Sequence, residues 1–382
     1  MRNVAVLGST GSIGRNTLEV IGASDGRLRV WGIAAHSNFD LLCEQATQFE
    51  PNRVVATHPD SGSFDWGGLP KSTSVAHGCD GLTELAREPD VDIVVAAIVG
   101  SAGLESAWNA LDCGKTVALA NKETLVMGGS LVTGLAARKG GKILPVDSEH
   151  SAIFQALSCG RREDVKRIIL TASGGPFRDY SQDQMAEVTV EQALCHPTWQ
   201  MGPKITVDSA TMMNKALEII EARWLFDLDP GQIDVVIHPQ SIVHSMVEFD
   251  DGSVMAQLSP PDMRLPIQYA LTFPERWKSP AKQLDLSERL SFHFEPPDYQ
   301  RFPALQLGQE VACAGGTAGS VLNAANETAV AEFLAGRLPF AEIVPVCRSV
   351  LDQHTFDANP TLEQLYKLDA WARKEVTRWI RI

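Results

Sequence analysis

Short apolar runs alternate along the first part of the chain with stretches whose apolar residues recur every three or four positions. The first pattern predicts buried strands and the second amphipathic helices. Val4 to Leu7 is such a run, followed by Gly8-Ser-Thr-Gly11-Ser-Ile-Gly14 and a helical pattern from Arg15. Strands are predicted at Leu28 to Ala35, Arg53 to Thr57, Ile93 to Ile98, Thr116 to Ala120 and Lys142 to Val146. Helices fall between them, at Asp40 to Phe49, Gly81 to Arg87, Leu104 to Leu111 and from Glu123 towards Arg138. This alternation predicts a Rossmann-like, doubly wound parallel sheet over residues 1–147. Such sheets bind ligands at the carboxyl ends of their strands. Gly100, Asn121, Lys122, Glu123 and Asp147 all fall there.

Beyond residue 147 the pattern changes. Val165 to Thr171 and Val235 to Ile237 read as strands, and Ser245 to Phe249 and Ser253 to Leu258 flank Asp250-Asp251-Gly252, a hairpin signal. Residues 148–272 therefore predict a central α/β domain whose sheet suits pairing of two subunits. Residues 273–298 are rich in proline and charge and read as a linker. From 299 to 382 the pattern is helical, with Val321, Leu322, Ala325, Ala329, Val330, Phe333 and Leu334 on one face, predicting a C-terminal helical bundle.

At 382 residues, several domains are expected. A formal charge of -14 argues against a nucleic-acid footprint and against an anionic membrane surface. The 7 cysteines are scattered without a CxxC pair, which fits reduced thiols and a cytoplasmic setting. Neither a targeting segment nor an apolar run of membrane-spanning length is expected.

The glycine turn after the first strand is the context a dinucleotide pyrophosphate requires, because glycines let backbone amides approach it at a helix start. The second strand runs into His36-Ser37-Asn38 with no acid for the ribose hydroxyls, which favours NADP(H). Asp147 and Glu149, two apart in an extended chain, would present two carboxylates together; an acidic turn or helix cap is the competing reading. Asp208 to Trp224 reads as one helix capped by Asp208 or Ser209, with Asn214, Lys215 and Glu218 on one face. An amide, a cation and a carboxylate there suit an anion and a metal; a solvated helix face is the alternative. Ala172 to Phe177 is a candidate anion nest. His196-Pro-Thr-Trp199-Gln-Met201-Gly202 reads either as a lid or as a packed loop. His238 and His244 read as packed histidines, Glu327 as a solvated helix residue and Cys195 as no nucleophile.

Taken together these segments resemble 1-deoxy-D-xylulose-5-phosphate reductoisomerases over essentially the whole length. The signatures are Gly8 to Gly14, Ala120-Asn-Lys-Glu123, Pro145 to His150, Thr171 to Phe177, His196 to Gly202, Asp208 to Lys215 with Glu218, and His238 to His244. The resemblance implies an NADPH- and divalent-metal-dependent homodimer, using Mg²⁺, Mn²⁺ or Co²⁺, that acts on a sugar phosphate. It implies Asp147, Glu149 and Glu218 as metal carboxylates. Ser173, Ser209, Asn214 and Lys215 would grip the phosphate, and Ser148 and Lys122 the sugar. His196 and Trp199 would cover the substrate, with Lys122, Glu149 and His196 as catalytic candidates. Cofactor contacts would come from Thr10, Gly11, Ser12, Ile13, Ser37, Asn38, Asn121, Glu123 and Gly202. The family often carries Gly-Lys-Asn where this chain has His36-Ser37-Asn38, so a lysine is missing at the 2′-phosphate contact. Two other functions stay open on the residues alone: a different NADP-dependent dehydrogenase, which needs no carboxylate trio, and a nucleotide-binding protein without turnover.

Overall fold

The computed structural model of the protein describes residues 1–287 and 289–381; Glu288, inside the expected linker, and Ile382 lie outside the described residues. The chain forms two compact units. The first comprises Met1–Thr124, Val132–Ser151 and Asp262–Lys282, the second Leu125–Leu131, Ala152–Pro261 and Gln283–Ile382.

The first unit is built on a seven-stranded sheet. Its strands are β1 (Arg2–Leu7), β2 (Leu28–Ala35), β3 (Arg53–Ala56), β4 (Ser74–His77), β5 (Ile93–Ala96), β6 (Thr116–Leu119) and β7 (Lys142–Pro145). Their order is β4-β3-β2-β1-β5-β6-β7, with every pairing parallel. Helices cover both faces, so central strands are buried on both sides and read as continuous apolar runs. Val4, Val6, Val94 and Val95 are accordingly inaccessible to solvent. The chain winds outward from β1 to β4 and then returns to the other side of β1 with β5. The crevice at that reversal is where such sheets take ligands. β4 was not expected from the sequence. It is an edge strand in which only Val75 and Ala76 are apolar, so no hydrophobic run announces it.

The second unit holds β8 (Val165–Ala172), β9 (Ile233–Ile237), β10 (Val243–Phe249) and β11 (Val254–Leu258) in the order β11-β10-β8-β9. β8 and β9 run parallel and the other pairs antiparallel. The hairpin between β10 and β11 turns at Gly252, whose φ of 85° is a conformation glycine adopts without strain. Helices Ala304–Ala314, Ala318–Leu334, Ile343–Gln353 and Leu362–Ile380 make the C-terminal region helical, as expected. Ala318–Leu334 is buried nearly all round and forms the centre of the bundle. Helix Ala304–Ala314 lies against helix Met213–Phe226 so closely that a Cβ on Gly308 would fall 2.6 Å from Ala216 Cα.

Two local expectations are corrected. Asp208 to Trp224 is not one helix but two, Pro203–Ala210 and Met213–Phe226, broken where Met212 takes φ 61°. Asp208 is therefore no cap; it is buried within the first helix. Asp147 to Glu149 is not extended either. A helix, Ser148–Ala156, begins directly after Asp147, whose carbonyl accepts from the Ser151 amide at 2.8 Å. Glu149 sits in the first turn, where the helix dipole favours a carboxylate.

Candidate active site

The glycine turn is a cradle that side chains would fill. A Cβ on Gly8 would lie 2.6 Å from the Ala97 carbonyl oxygen, and one on Gly14 2.2 Å from that of Gly8. Helix Ser12–Gly22 starts at Gly11 with no side chain over its end. Its first amides are thus open to an anion, while Thr10, Gly11, Ser12 and Ile13 line the approach at the carboxyl end of β1. Gln45 holds the turn from below. Ser9 Oγ donates to its carbonyl oxygen at 2.7 Å, and its amide donates to the Ser9 carbonyl at 2.9 Å. The shape fits a dinucleotide pyrophosphate.

At the end of β2, His36, Ser37 and Asn38 are exposed. Asn38 Oδ1 caps the next helix by accepting from the Leu41 amide at 3.3 Å. Asn121, after β6, is spent on the protein itself. Its amide donates to the Ile98 and Gly100 carbonyls at 2.6 and 2.9 Å, and its oxygen accepts from the Thr124 amide and hydroxyl at 2.9 and 2.6 Å. It shapes the loop after β5 rather than offering a free amide. Glu123 is buried at the start of the following helix.

Lys122 Nζ lies 2.6 Å from Asp147 Oδ2 with both side chains largely buried. Burial pushes the Asp147 carboxyl up, but Lys122, His150 and a hydrogen bond with Glu149 outweigh it and hold it well below the usual carboxylate range. Ser148 Oγ donates to Glu149 Oε2 at 2.7 Å. The first unit thus presents two carboxylates, a hydroxyl and a lysine at the carboxyl ends of β6 and β7.

In the second unit, β8 ends in a turn where Gly174 and Gly175 take φ 82° and 67°. Gly175 packs on Ser209, where a Cβ would fall 2.6 Å from the Ser209 carbonyl oxygen, so the turn carrying Ser173 is held against the helix carrying Ser209. Ser173 Oγ lies 3.1 Å from His196 Nε2 and accepts from the Gly175 amide at 3.2 Å. The Thr198 and Trp199 amides donate to His196 Nδ1 at 3.1 and 2.9 Å. Those two donors fix the neutral tautomer with its hydrogen on Nε2. Burial pushes the His196 pKa down, reinforcing that form. The Trp199 ring lies 6.3 Å from the His244 ring. Gly202 opens helix Pro203–Ala210 and is exposed.

On helix Met213–Phe226, Asn214 Nδ2 donates to Glu218 Oε1 at 2.5 Å, and Lys215 Nζ pairs with Glu218 Oε2. Lys215 and Glu218 are buried, so the solvated-face reading fails. Hard carboxylate oxygens already matched to lysine cations fit a divalent metal of the Mg²⁺ or Mn²⁺ type.

Several residues carry less or more than the sequence suggests. His238 is structural: it stacks on Phe294 at 4.7 Å, and its Nε2 accepts from the Ile242 and Val243 amides at 3.2 and 3.1 Å. His244 donates from Nε2 to the Ser259 carbonyl at 3.1 Å, and burial drives its pKa down to about 4. Glu327 pairs with Arg373 at 2.6 Å within the helical region. Cys195 is exposed, its thiol 3.2 Å from the Glu191 carbonyl. The sequence reading took Asp208 as a possible helix cap and missed its buried partners, Lys204 at 2.9 Å and Asn326 at 2.8 Å. The i, i+4 spacing of Lys204 and Asp208 was its available signal.

A doubly wound sheet with an open glycine cradle and a buried lysine–carboxylate pair at its strand ends is the frame of a dinucleotide-dependent oxidoreductase. Family models narrow the class. Residues 4–129 match the 1-deoxy-D-xylulose 5-phosphate reductoisomerase model, and 143–226 and 258–375 match two models of that enzyme's C-terminal domains. The reductoisomerase of Pelotomaculum thermopropionicum is 51% identical over 100% of this chain and 99% of its own. That of Rhodopirellula baltica is 49% identical over 97% of this chain and 93% of its own. A crystal structure of DOX-P reductoisomerase with NADPH, fosmidomycin and magnesium superposes with TM-score 0.94 at 43% identity, covering 100% of this chain and 98% of that one. The Zymomonas mobilis enzyme with NADPH gives 0.93 at 44%, covering 99% of both. The chain belongs to the 1-deoxy-D-xylulose 5-phosphate reductoisomerase family.

Proposed function

We infer that the chain converts 1-deoxy-D-xylulose 5-phosphate to 2-C-methyl-D-erythritol 4-phosphate, a step of the non-mevalonate isoprenoid pathway, with NADPH and a divalent metal. The observation that carries the reading is the family membership over the full length, joined to a glycine cradle and carboxylate donors that fit both groups. When bound, the metal polarises the substrate carbonyl and acidifies its neighbouring hydroxyl, and the reduced nicotinamide supplies the hydride.

The chain's own residues do the rest. Asp147, Glu149 and Glu218 would hold the metal. Ser173, Ser209, Asn214 and Lys215 take the phosphate, a handle whose binding energy positions the reacting carbons. Ser148 and Lys122 orient the sugar oxygens. Lys122, Glu149 and His196 are the groups placed to hold or move protons. His196 and Trp199 cover the substrate and exclude water. Thr10 to Ile13, Ser37, Asn38, Asn121, Glu123 and Gly202 bound the cofactor, Asn121 by shaping its loop. Residues 1–147 serve as the nucleotide module, 148–272 as the catalytic and dimer-forming domain, 273–298 as the linker and 299–382 as helical support.

We assign the chain as a homodimer on one feature. β11 is an edge strand whose Val254, Met255 and Leu258 are exposed, an apolar strip that favours association with a second copy. Sedimentation should return a dimer, and Met255→Lys a monomer. Among the described residues no helix is long and apolar enough to cross a membrane. The activity is tested by following NADPH absorbance with 1-deoxy-D-xylulose 5-phosphate and Mg²⁺, then with chelator. Oxidation that stops on chelation is expected; oxidation that continues unchanged overturns the metal assignment.

A further inference from the structure

In a doubly wound dinucleotide fold the residues that end the second strand meet the adenine ribose, and the charge they carry decides between a 2′-hydroxyl and a 2′-phosphate. An arginine or lysine usually supplies that charge. Here the turn after β2 has neither: between Ala35 and Lys71 the single basic side chain of that kind is Arg53, at the start of β3 and hence the opposite end of the sheet. Two histidines occupy the place instead. His36 follows β2 directly, and His58 stands two residues beyond β3. The His58 amide donates to the His36 carbonyl at 3.0 Å, which ties the two turns together, and the rings sit 5.1 Å apart at 69°.

Both rings are oriented by the protein through Nδ1. His36 Nδ1 lies 3.0 Å from Thr57 Oγ1. His58 Nδ1 accepts from the Asp60 amide at 3.2 Å and lies 3.5 Å from the Asp60 carboxylate. Nε2 is the nitrogen each ring has left to offer a ligand. His36 is exposed and His58 partly so.

We propose that His36 and His58 together select NADPH over NADH, by donating from Nε2 to the 2′-phosphate in the place where a lysine would stand. This rests on the NADPH reading above and adds its recognition residues. The strand-end position, the pairing of the rings and the absence of another cation in the two turns converge on it. Ser37 and Asn38 remain as neutral partners, Asn38 with its oxygen already used as a helix cap.

The test is direct binding rather than turnover. Full-length wild type, His36→Ala, His58→Ala and His36→Arg are titrated with NADPH, NADH and 2′,5′-ADP by calorimetry. Either Ala variant should lose about tenfold in NADPH and 2′,5′-ADP affinity with NADH unchanged. His36→Arg should keep tight NADPH binding. Ala variants that keep the wild-type preference overturn the assignment while leaving the NADPH reading standing. A wild type that does not bind NADPH overturns both.

Discussion

His196 Nε2 lies 3.1 Å from Ser173 Oγ, and two backbone amides on His196 Nδ1 leave the imidazole no choice but to donate. The loop that carries His196 and Trp199 is thereby fastened to the glycine turn after β8. A substrate phosphate arriving at Ser173 would meet a hydroxyl that already accepts from His196 and Gly175, with its own hydrogen free to donate.

Ser173→Ala should therefore raise KM for 1-deoxy-D-xylulose 5-phosphate about tenfold, the worth of one charge-assisted hydrogen bond, with NADPH affinity unchanged. Steady-state kinetics beside a cofactor titration checks the split. A drop in kcat with KM unmoved would remove Ser173 from the phosphate grip.

Lys215 and Glu218 are a buried ion pair on one helix. Removing one member of such a pair costs about 3 kcal/mol or more, because the remaining charge loses its match. Lys215→Ala should show that loss in urea unfolding of the metal-free protein, and Mg²⁺ should return part of it by replacing the cation that Glu218 faces. Stability equal to wild type would mean that the pair carries no weight.

His244 gives a pH dependence with a definite sign. Its folded pKa of about 4 lies below the ordinary imidazole value, so the folded protein refuses a proton that the unfolded chain accepts. Its contribution to stability is whole above about pH 6.5 and is lost as pH falls towards 4, up to about 3 kcal/mol. His244→Asn should flatten the unfolding free energy across that window. An unaltered pH slope would contradict the buried neutral imidazole.

The parallel sheet was legible because β1, β2 and β5 are buried on both faces and so carry unbroken apolar runs with turn residues after them. The edge strand β4 had no such run and was missed. Asn214, Lys215 and Glu218 were placed on one face correctly because helical spacing alone decides that. The break at Met212 was not legible: no glycine or proline marks it, and the left-handed residue there is a buried methionine. Asp147 and Glu149 were set in the wrong backbone, since Asp147-Ser148 reads equally as a strand end and as a helix start. His36 and His58 were invisible as a pair because a helix and a strand separate them along the chain.

The account depends most on Asp147, Glu149 and Glu218 as ligands of a divalent ion. Mn²⁺ titration followed by electron paramagnetic resonance, on wild type and on Asp147→Asn, Glu149→Gln and Glu218→Gln, tests that directly. Each variant should lose tight Mn²⁺ binding while NADPH still binds as in wild type. Undiminished Mn²⁺ binding by Glu218→Gln would contradict the metal assignment.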